Sequence, residues 1–180
     1  MGVLNLEGKS SAEMIAEGVR IAKTEQRIND FLLSLKRSDG RAVKFKWQEP
    51  IEHCPFVKRG KHKVDFYLKE PELYIEVKGW MSYASVNELE YLLRHSGKNF
   101  YILQVTNEDW MGMYEEKKHK SIAKKIAQNE KLQLEEITKF VKGELKAQEM
   151  VELSLKRLEE FKVLRSGDIQ RWLNVTGGAK

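Results

Sequence analysis

Val64-Asp65-Phe66-Tyr67-Leu68 and Leu73-Tyr74-Ile75-Glu76-Val77-Lys78-Gly79 predict two neighbouring β-strands in this chain. Side chains alternate between the faces of a strand, so Glu76 and Lys78 are predicted to lie together while Leu73, Ile75 and Val77 enter a core. The polar connection Lys69-Glu70-Pro71-Glu72 is typical of a tight hairpin, which would bring Asp65 beside Glu76. The sequence therefore predicts that two carboxylates and one amine converge.

Asp65 and Glu76 are the kind of ligands that Mg²⁺ prefers, because this ion takes oxygen atoms in octahedral geometry and keeps several waters. A main-chain carbonyl near Val77 would complete the protein's share of such a site. A divalent cation held there would neutralise a phosphodiester and lower the pKa of an attacking water. Lys78 would orient or deprotonate that water, and orientation is favoured because a lysine beside two carboxylates normally stays protonated.

The order Asp65, ten residues, Glu76, one residue and Lys78-Gly79 resembles the PD-(D/E)XK nuclease superfamily. Val64 stands where the family name has proline. The resemblance implies an α/β fold, with a restriction-endonuclease-like mixed sheet core flanked by helices. It also implies a DNA endonuclease that depends on Mg²⁺, with Mn²⁺ able to substitute, in which Asp65, Glu76 and the main chain at Val77 bind the metal and Lys78 acts at the water.

The family also places a glutamate in a helix ahead of the first core strand, and Glu25 fits that position. Ser10 and Glu13 form a capping box that predicts one long helix or two from Ser11 to about Arg37. Glu25 interrupts an apolar stripe of this segment, and a buried charge needs a partner. A metal site is favoured over a salt bridge as that partner, and Glu17 is the alternative carboxylate. The apolar stripe consists of Ile21, Ile28, Leu32 and Leu35.

Within the superfamily the chain most resembles phage junction-resolving endonucleases of the endonuclease I type and related small phage nucleases, over roughly residues 20 to 110. The likeness rests on the order of Glu25, a strand over 43–48, a loop with Pro50, Asp65 and the Glu76-to-Lys78 motif. It implies action on branched or Holliday-junction DNA in phage or bacterial DNA processing. Restriction-type and transposase-type nucleases share this skeleton, and a non-catalytic DNA-binding or assembly module of the same fold is the alternative from another class.

A basic loop over residues 58–63 runs directly into the Asp65 strand. The net charge of +5 and the pI near 9.1 favour a polyanionic partner, and this segment could hold DNA phosphates next to the metal. A solvated loop is the alternative interpretation. The predicted DNA-binding residues are Lys58, Arg59, Lys61, His62 and Lys63.

Downstream, the pattern predicts a helix near Ser85 to His95 and a buried strand over 100–105, parallel to the Glu76 strand. We predict a nuclease-like core over residues 1–112 and a helical C-terminal extension over 113–180. Breaks are expected at Gly143 and at Ser166-Gly167. The extension would pack on the core or form a homodimer, two alternatives that the sequence leaves equal.

Composition excludes several classes of protein. With 41% hydrophobic and 33% charged residues, the chain can bury one compact core. No apolar stretch reaches the length of a membrane span and no segment is typical of a signal peptide, so a cytoplasmic protein without membrane contact is expected. Cys54 is the only cysteine, which excludes an internal disulfide.

Overall fold

The computed structural model describes residues 7–52, 61–79, 81–106 and 120–176. These residues form a mixed α/β fold in which a four-stranded sheet lies between helices. The elements in chain order are α1 (Ser11–Ala16), α2 (Lys23–Ser34), β1 (Phe45–Glu52), β2 (Lys61–Lys69), β3 (Glu72–Lys78), α3 (Tyr83–His95), β4 (Phe100–Gln104), α4 (Lys120–Val141) and α5 (Ala147–Thr176). None of the helices in these ranges is both long and apolar enough to cross a membrane.

The sheet has the order β1-β2-β3-β4, and its centre is the predicted hairpin. Strands β2 and β3 pair antiparallel, with Lys69 opposite Glu72 and only Glu70 and Pro71 between them. Strand β4 lies parallel to β3, with Lys78 opposite Gln104, as expected for a strand that follows a crossover helix. The prediction of the hairpin, of helix α3 and of the parallel strand is therefore confirmed.

Strand β1 is longer than predicted. It extends through Pro50, which lies opposite Lys63, whereas the sequence predicts a loop at this proline. Strand β1 lies at the edge of the sheet and has a neighbouring strand on one side. Proline lacks a backbone N–H, and it is tolerated in an edge strand because no second neighbour needs that donor. The two-helix alternative for residues 11–37 is correct, and the second helix ends at Ser34, before the predicted end at about Arg37.

The side chains of β1 and β2 change faces part-way along these strands. Phe66 and Leu68 belong to the hydrophobic cluster on one side of the sheet, whereas Val64, at the same spacing, belongs to the cluster on the other side. Strand β1 changes faces between Trp47 and Ile51, where Gln48 has a φ of 53°. Strict alternation would keep all even positions of a strand on one face. The face change therefore lies at Gln48 in β1 and at Asp65 in β2.

Both faces of the sheet are buried, each by its own hydrophobic cluster. The first cluster packs Val64, Tyr74 and Ile102 against α3 and against residues of α4 and α5, including Ile126 and Leu158. The second cluster packs the opposite face against α2 and against other residues of the same two C-terminal helices, including Phe140 in α4 and Met150 in α5. The predicted core positions of β3 lie in this second cluster, namely Leu73, Ile75 and Val77.

The C-terminal helices cover the free edge of β4. The side chain of Gln133 in α4 accepts from the Gln104 amide at 2.9 Å and donates to the Gln104 carbonyl at 3.1 Å. Ser154 Oγ in α5 accepts from the Ile102 amide at 3.0 Å. These side chains take the place of a fifth strand, because an edge strand otherwise presents unpaired backbone groups.

Helices α4 and α5 thus contribute residues to both hydrophobic clusters of the sheet. This is the arrangement expected if the C-terminal extension packs on the core. The boundary at residue 112 lies outside the described residues, and dimerisation stays a prediction. The break at Gly143 is confirmed, and its φ of 81° suits glycine. The predicted break at Ser166-Gly167 is wrong, since α5 continues through both residues to Thr176. The backbone hydrogen bonds of a long helix can outweigh the propensity cost of one glycine.

Candidate metal centre

Asp65 lies where β2 and β3 separate. The paired register of the two strands ends at Phe66, which lies opposite Ile75. Asp65 precedes Phe66 and turns its carboxylate toward β3. Asp65 Oδ2 accepts a hydrogen bond from the Val77 amide at 2.7 Å. A side-chain oxygen thus takes the role that a strand carbonyl would otherwise have. This local geometry follows from the face change at Asp65 and fixes the carboxylate beside Glu76.

Glu76 is buried and held from two sides. One of its oxygens, Oε1, lies 2.6 Å from Lys78 Nζ, and the other, Oε2, lies 3.1 Å from His62 Nε2. The side chains of Glu76 and Lys78 share a face of β3, as the alternation predicts. Glu76 has an exposed fraction of 2%, so its charge depends on these two partners rather than on water.

Glu25 approaches from the first turn of α2. Its Oε2 accepts a hydrogen bond from Trp47 Nε1 at 3.0 Å, and its charge acts on both Glu76 and Lys78. Glu17, the alternative carboxylate, is exposed and pairs with Lys9 at 2.5 Å. The structure therefore brings Glu25, and not Glu17, toward the converging strands. Trp47 was not recognised in the sequence as a partner of this glutamate.

His62 has a different place from the one predicted. It lies in strand β2 rather than in a loop, and its ring is buried, with an exposed fraction of 8%. Nδ1 lies 2.9 Å from Glu88 Oε1 of α3, while Nε2 contacts Glu76. Both ring nitrogens are thus engaged by carboxylates, and the phosphate contact of His62 stays a prediction. Glu88 was missed because it stands between core positions of α3 and resembles any polar helix residue.

The other predicted DNA-binding residues are placed only in part. Lys63 is exposed on β2, opposite Pro50. Lys58 and Arg59 lie outside the described residues, as does the side chain of Lys61. The DNA contact predicted for this basic segment stays a prediction.

Electrostatics shift the pKa values of Asp65 and Glu76 in opposite directions. Burial raises the pKa of Asp65 to about 7, and the negative charge of Glu76 adds to this effect. Burial would also raise the pKa of Glu76, but the hydrogen bonds and charges of His62 and Lys78 outweigh it and lower that pKa. Asp65 is therefore the carboxyl group whose ionisation is opposed at neutral pH, while Glu76 is ionised.

The remaining groups complete this charge pattern. Burial raises the pKa of Glu25, and the charge of Glu76 acts in the same direction against the Trp47 hydrogen bond. Burial alone would lower the pKa of Lys78, but the adjacent charge of Glu76 outweighs it and raises the pKa. Lys78 therefore stays protonated, which suits water orientation and not proton abstraction.

The acidic side chains suit a hard divalent cation, because the charges of Glu76 and Glu25 act on Asp65 and carboxylate oxygens are the ligands that such an ion prefers. A cation would relieve the repulsion that raises the pKa of Asp65. Among the described residues, no group of three or more His, Cys, Asp or Glu side chains is arranged so that it could hold a metal ion. A site here would therefore use two carboxylates, a main-chain carbonyl such as that of Val77, and water.

Comparisons of the chain with protein-family models, with curated proteins and with solved structures gave no match. Support for a function therefore comes from the geometry of Glu25, Asp65, Glu76 and Lys78 and from the chemistry that these groups can perform.

Proposed function

We propose that the protein is a metal-dependent endonuclease that hydrolyses phosphodiester bonds of DNA with Mg²⁺, or with Mn²⁺ in its place. The proposal includes the restriction-endonuclease-like character of the sheet and the likeness to phage junction-resolving nucleases. Branched DNA is the substrate that this likeness favours. A homodimer would allow two opposed strands to be cut by two copies of the site.

One observation carries the proposal. An aspartate at a strand fork, a glutamate and a lysine two residues apart on the next strand, and a glutamate from the preceding helix all act on one another. Three carboxylates gathered in a partly buried position are unfavourable for folding unless a positive charge compensates them. Such an arrangement is more typical of a functional site than of a core.

Each residue has a separable part in the reaction. A divalent cation bound between Asp65 and Glu76 would supply charge neutralisation at the phosphate and a water of lowered pKa. Lys78, which stays protonated, would donate to the attacking water or to a phosphate oxygen and keep it in line. Glu25 would accept a hydrogen bond from that water on the side of α2, with its carboxylate held by Trp47 Nε1.

The cleavage of labelled four-way junction, duplex and single-stranded DNA with Mg²⁺ or Mn²⁺ tests the proposal. We expect Asp65→Asn and Lys78→Ala each to lower the cleavage rate by about 100-fold or more, a loss that mutagenesis commonly finds when one charge-stabilising group is removed. Asparagine keeps the shape of Asp65 and can still accept from the Val77 amide.

Lys131→Ala is a matched control, because Lys131 is a largely exposed lysine of α4 with a side-chain exposed fraction of 89%. It should cut like the wild type, and circular dichroism should show that all variants remain folded. Absence of metal-dependent cutting on every substrate would exclude the enzyme. Unchanged DNA binding in Asp65→Asn would then favour the alternative of a binding or assembly module.

A second comparison decides between the two candidate glutamates of the helical N-terminal region. We expect Glu25→Gln to lower the metal-dependent cleavage rate by about tenfold, below the loss for a direct ligand, because Glu25 would act through the water. Glu17→Gln should have no effect, since Glu17 pairs with Lys9 away from the fork. Equal activity of both variants would remove Glu25 from the site.

A further inference from the structure

A chain of hydrogen bonds links helix α3 to the proposed metal ligand. It runs from Glu88 Oε1 to His62 Nδ1 over 2.9 Å, and from His62 Nε2 to Glu76 Oε2 over 3.1 Å. The side chain of His62 is 9% exposed and that of Glu88 is 23% exposed. The chain therefore runs from a partly exposed helix face into the interior of the site.

The imidazole is fixed by its two partners. A neutral ring has one donor and one acceptor nitrogen, so it can donate to only one of two ionised carboxylates. A ring that carries a proton on each nitrogen donates to both. With both nitrogens donating, Glu88 sets the plane of the ring and the ring sets the position of Glu76 Oε2. The other oxygen of Glu76, Oε1, is the one beside Lys78.

We propose that His62 and Glu88 are positioning residues that hold the Glu76 carboxylate in the orientation needed to bind the divalent cation. This inference rests on the proposed function. Residues that orient a metal ligand in this way set the affinity for the ion, and their loss weakens binding even when the ligand itself remains.

The test measures the binding of Mn²⁺ alone to the free protein by calorimetry, without DNA. We expect Glu88→Ala to bind Mn²⁺ about tenfold more weakly than the wild type, a loss typical of removing such an outer partner. Glu88→Gln should restore most of the affinity, because its side-chain carbonyl can still accept from Nδ1. Since Glu88 is partly exposed, both variants should fold, which circular dichroism checks.

Glu90→Ala is the matched control from the same helix. Glu90 pairs with Arg94 at 3.1 Å and with Lys162 at 2.8 Å, so its loss removes surface ion pairs of α3 without touching His62. It should bind Mn²⁺ like the wild type. A Glu88→Ala protein that also binds like the wild type would overturn the positioning role and leave the nuclease proposal intact. Wild-type binding no tighter than that of Asp65→Asn would overturn both.

Discussion

Arg157→Met will lower the free energy of unfolding by about 3 kcal/mol, the size of effect expected when one partner of a buried ion pair is removed. Arg157 of α5 contacts Glu136 of α4, and both contact the Tyr101 hydroxyl of β4, at 3.1 Å and 2.7 Å. The side chains of Arg157 and Glu136 are 11% and 10% exposed. Methionine replaces the aliphatic stem of arginine but not its guanidinium, so it leaves the Glu136 charge without its cation. Urea denaturation followed by circular dichroism measures the difference.

Two further variants test this explanation. Lys156→Met changes the preceding, exposed residue of α5 and should leave the free energy of unfolding unchanged. The double variant Glu136→Leu/Arg157→Met should recover most of the loss, because two apolar side chains leave no uncompensated charge. If Arg157→Met were as stable as Lys156→Met, the ion pair would contribute nothing to the junction of sheet and helices.

Asp65→Asn will make the protein more stable at pH 8, although we expect it to lower the proposed cleavage rate by about 100-fold or more. The pKa of Asp65 is raised from 3.8 to about 7, a difference of about 3 units that corresponds to roughly 4 kcal/mol as an upper limit. The protonated form is favoured by folding, so its contribution to stability is present below about pH 4 and is lost as pH rises to about 7. Asparagine does not ionise and escapes this loss.

The stability gain of Asp65→Asn over the wild type should therefore grow with pH between about 4 and about 7 and level off above, as measured by urea denaturation with EDTA present. Asp39 provides a control of opposite sign. Hydrogen bonds from Arg41 lower its pKa, so Asp39→Asn should lose a stabilising charge at higher pH. A gain for Asp65→Asn that does not change with pH would show that Asp65 ionises normally.

Local pattern was sufficient to predict much of the sheet and to bring together several side chains of the candidate site. The hairpin between β2 and β3 follows from its turn chemistry, and the shared face of Glu76 and Lys78 follows from alternation along one strand. Glu25 was found because a carboxylate in an apolar helical stripe needs a compensating partner. In each case the decisive interactions lie within one element or between elements close in sequence.

The position of His62 was missed because of the face change at Gln48 and Asp65. Alternation counted backward from Phe66 puts Val64 and His62 on the wrong face, so the sequence could not place the imidazole beside Glu76. Pro50 within β1 depends on the edge position of that strand, which only the assembled sheet shows. The partner Glu88 arrives from a separate helix, and no spacing in the chain relates it to His62.

The cover that α4 and α5 provide over β4 sets a point during synthesis before which the site cannot be completed. A nascent chain that has reached residue 110 already contains Glu25, Asp65, Glu76 and Lys78. Both faces of its sheet still lack residues such as Ile126, Phe140 and Leu158, and the edge of β4 still lacks Gln133 and Ser154. Because a domain folds as a unit, the ribosome must deliver helices α4 and α5 before the carboxylates can be held together. The proposed activity would then be confined to chains in which both of these helices have been synthesised.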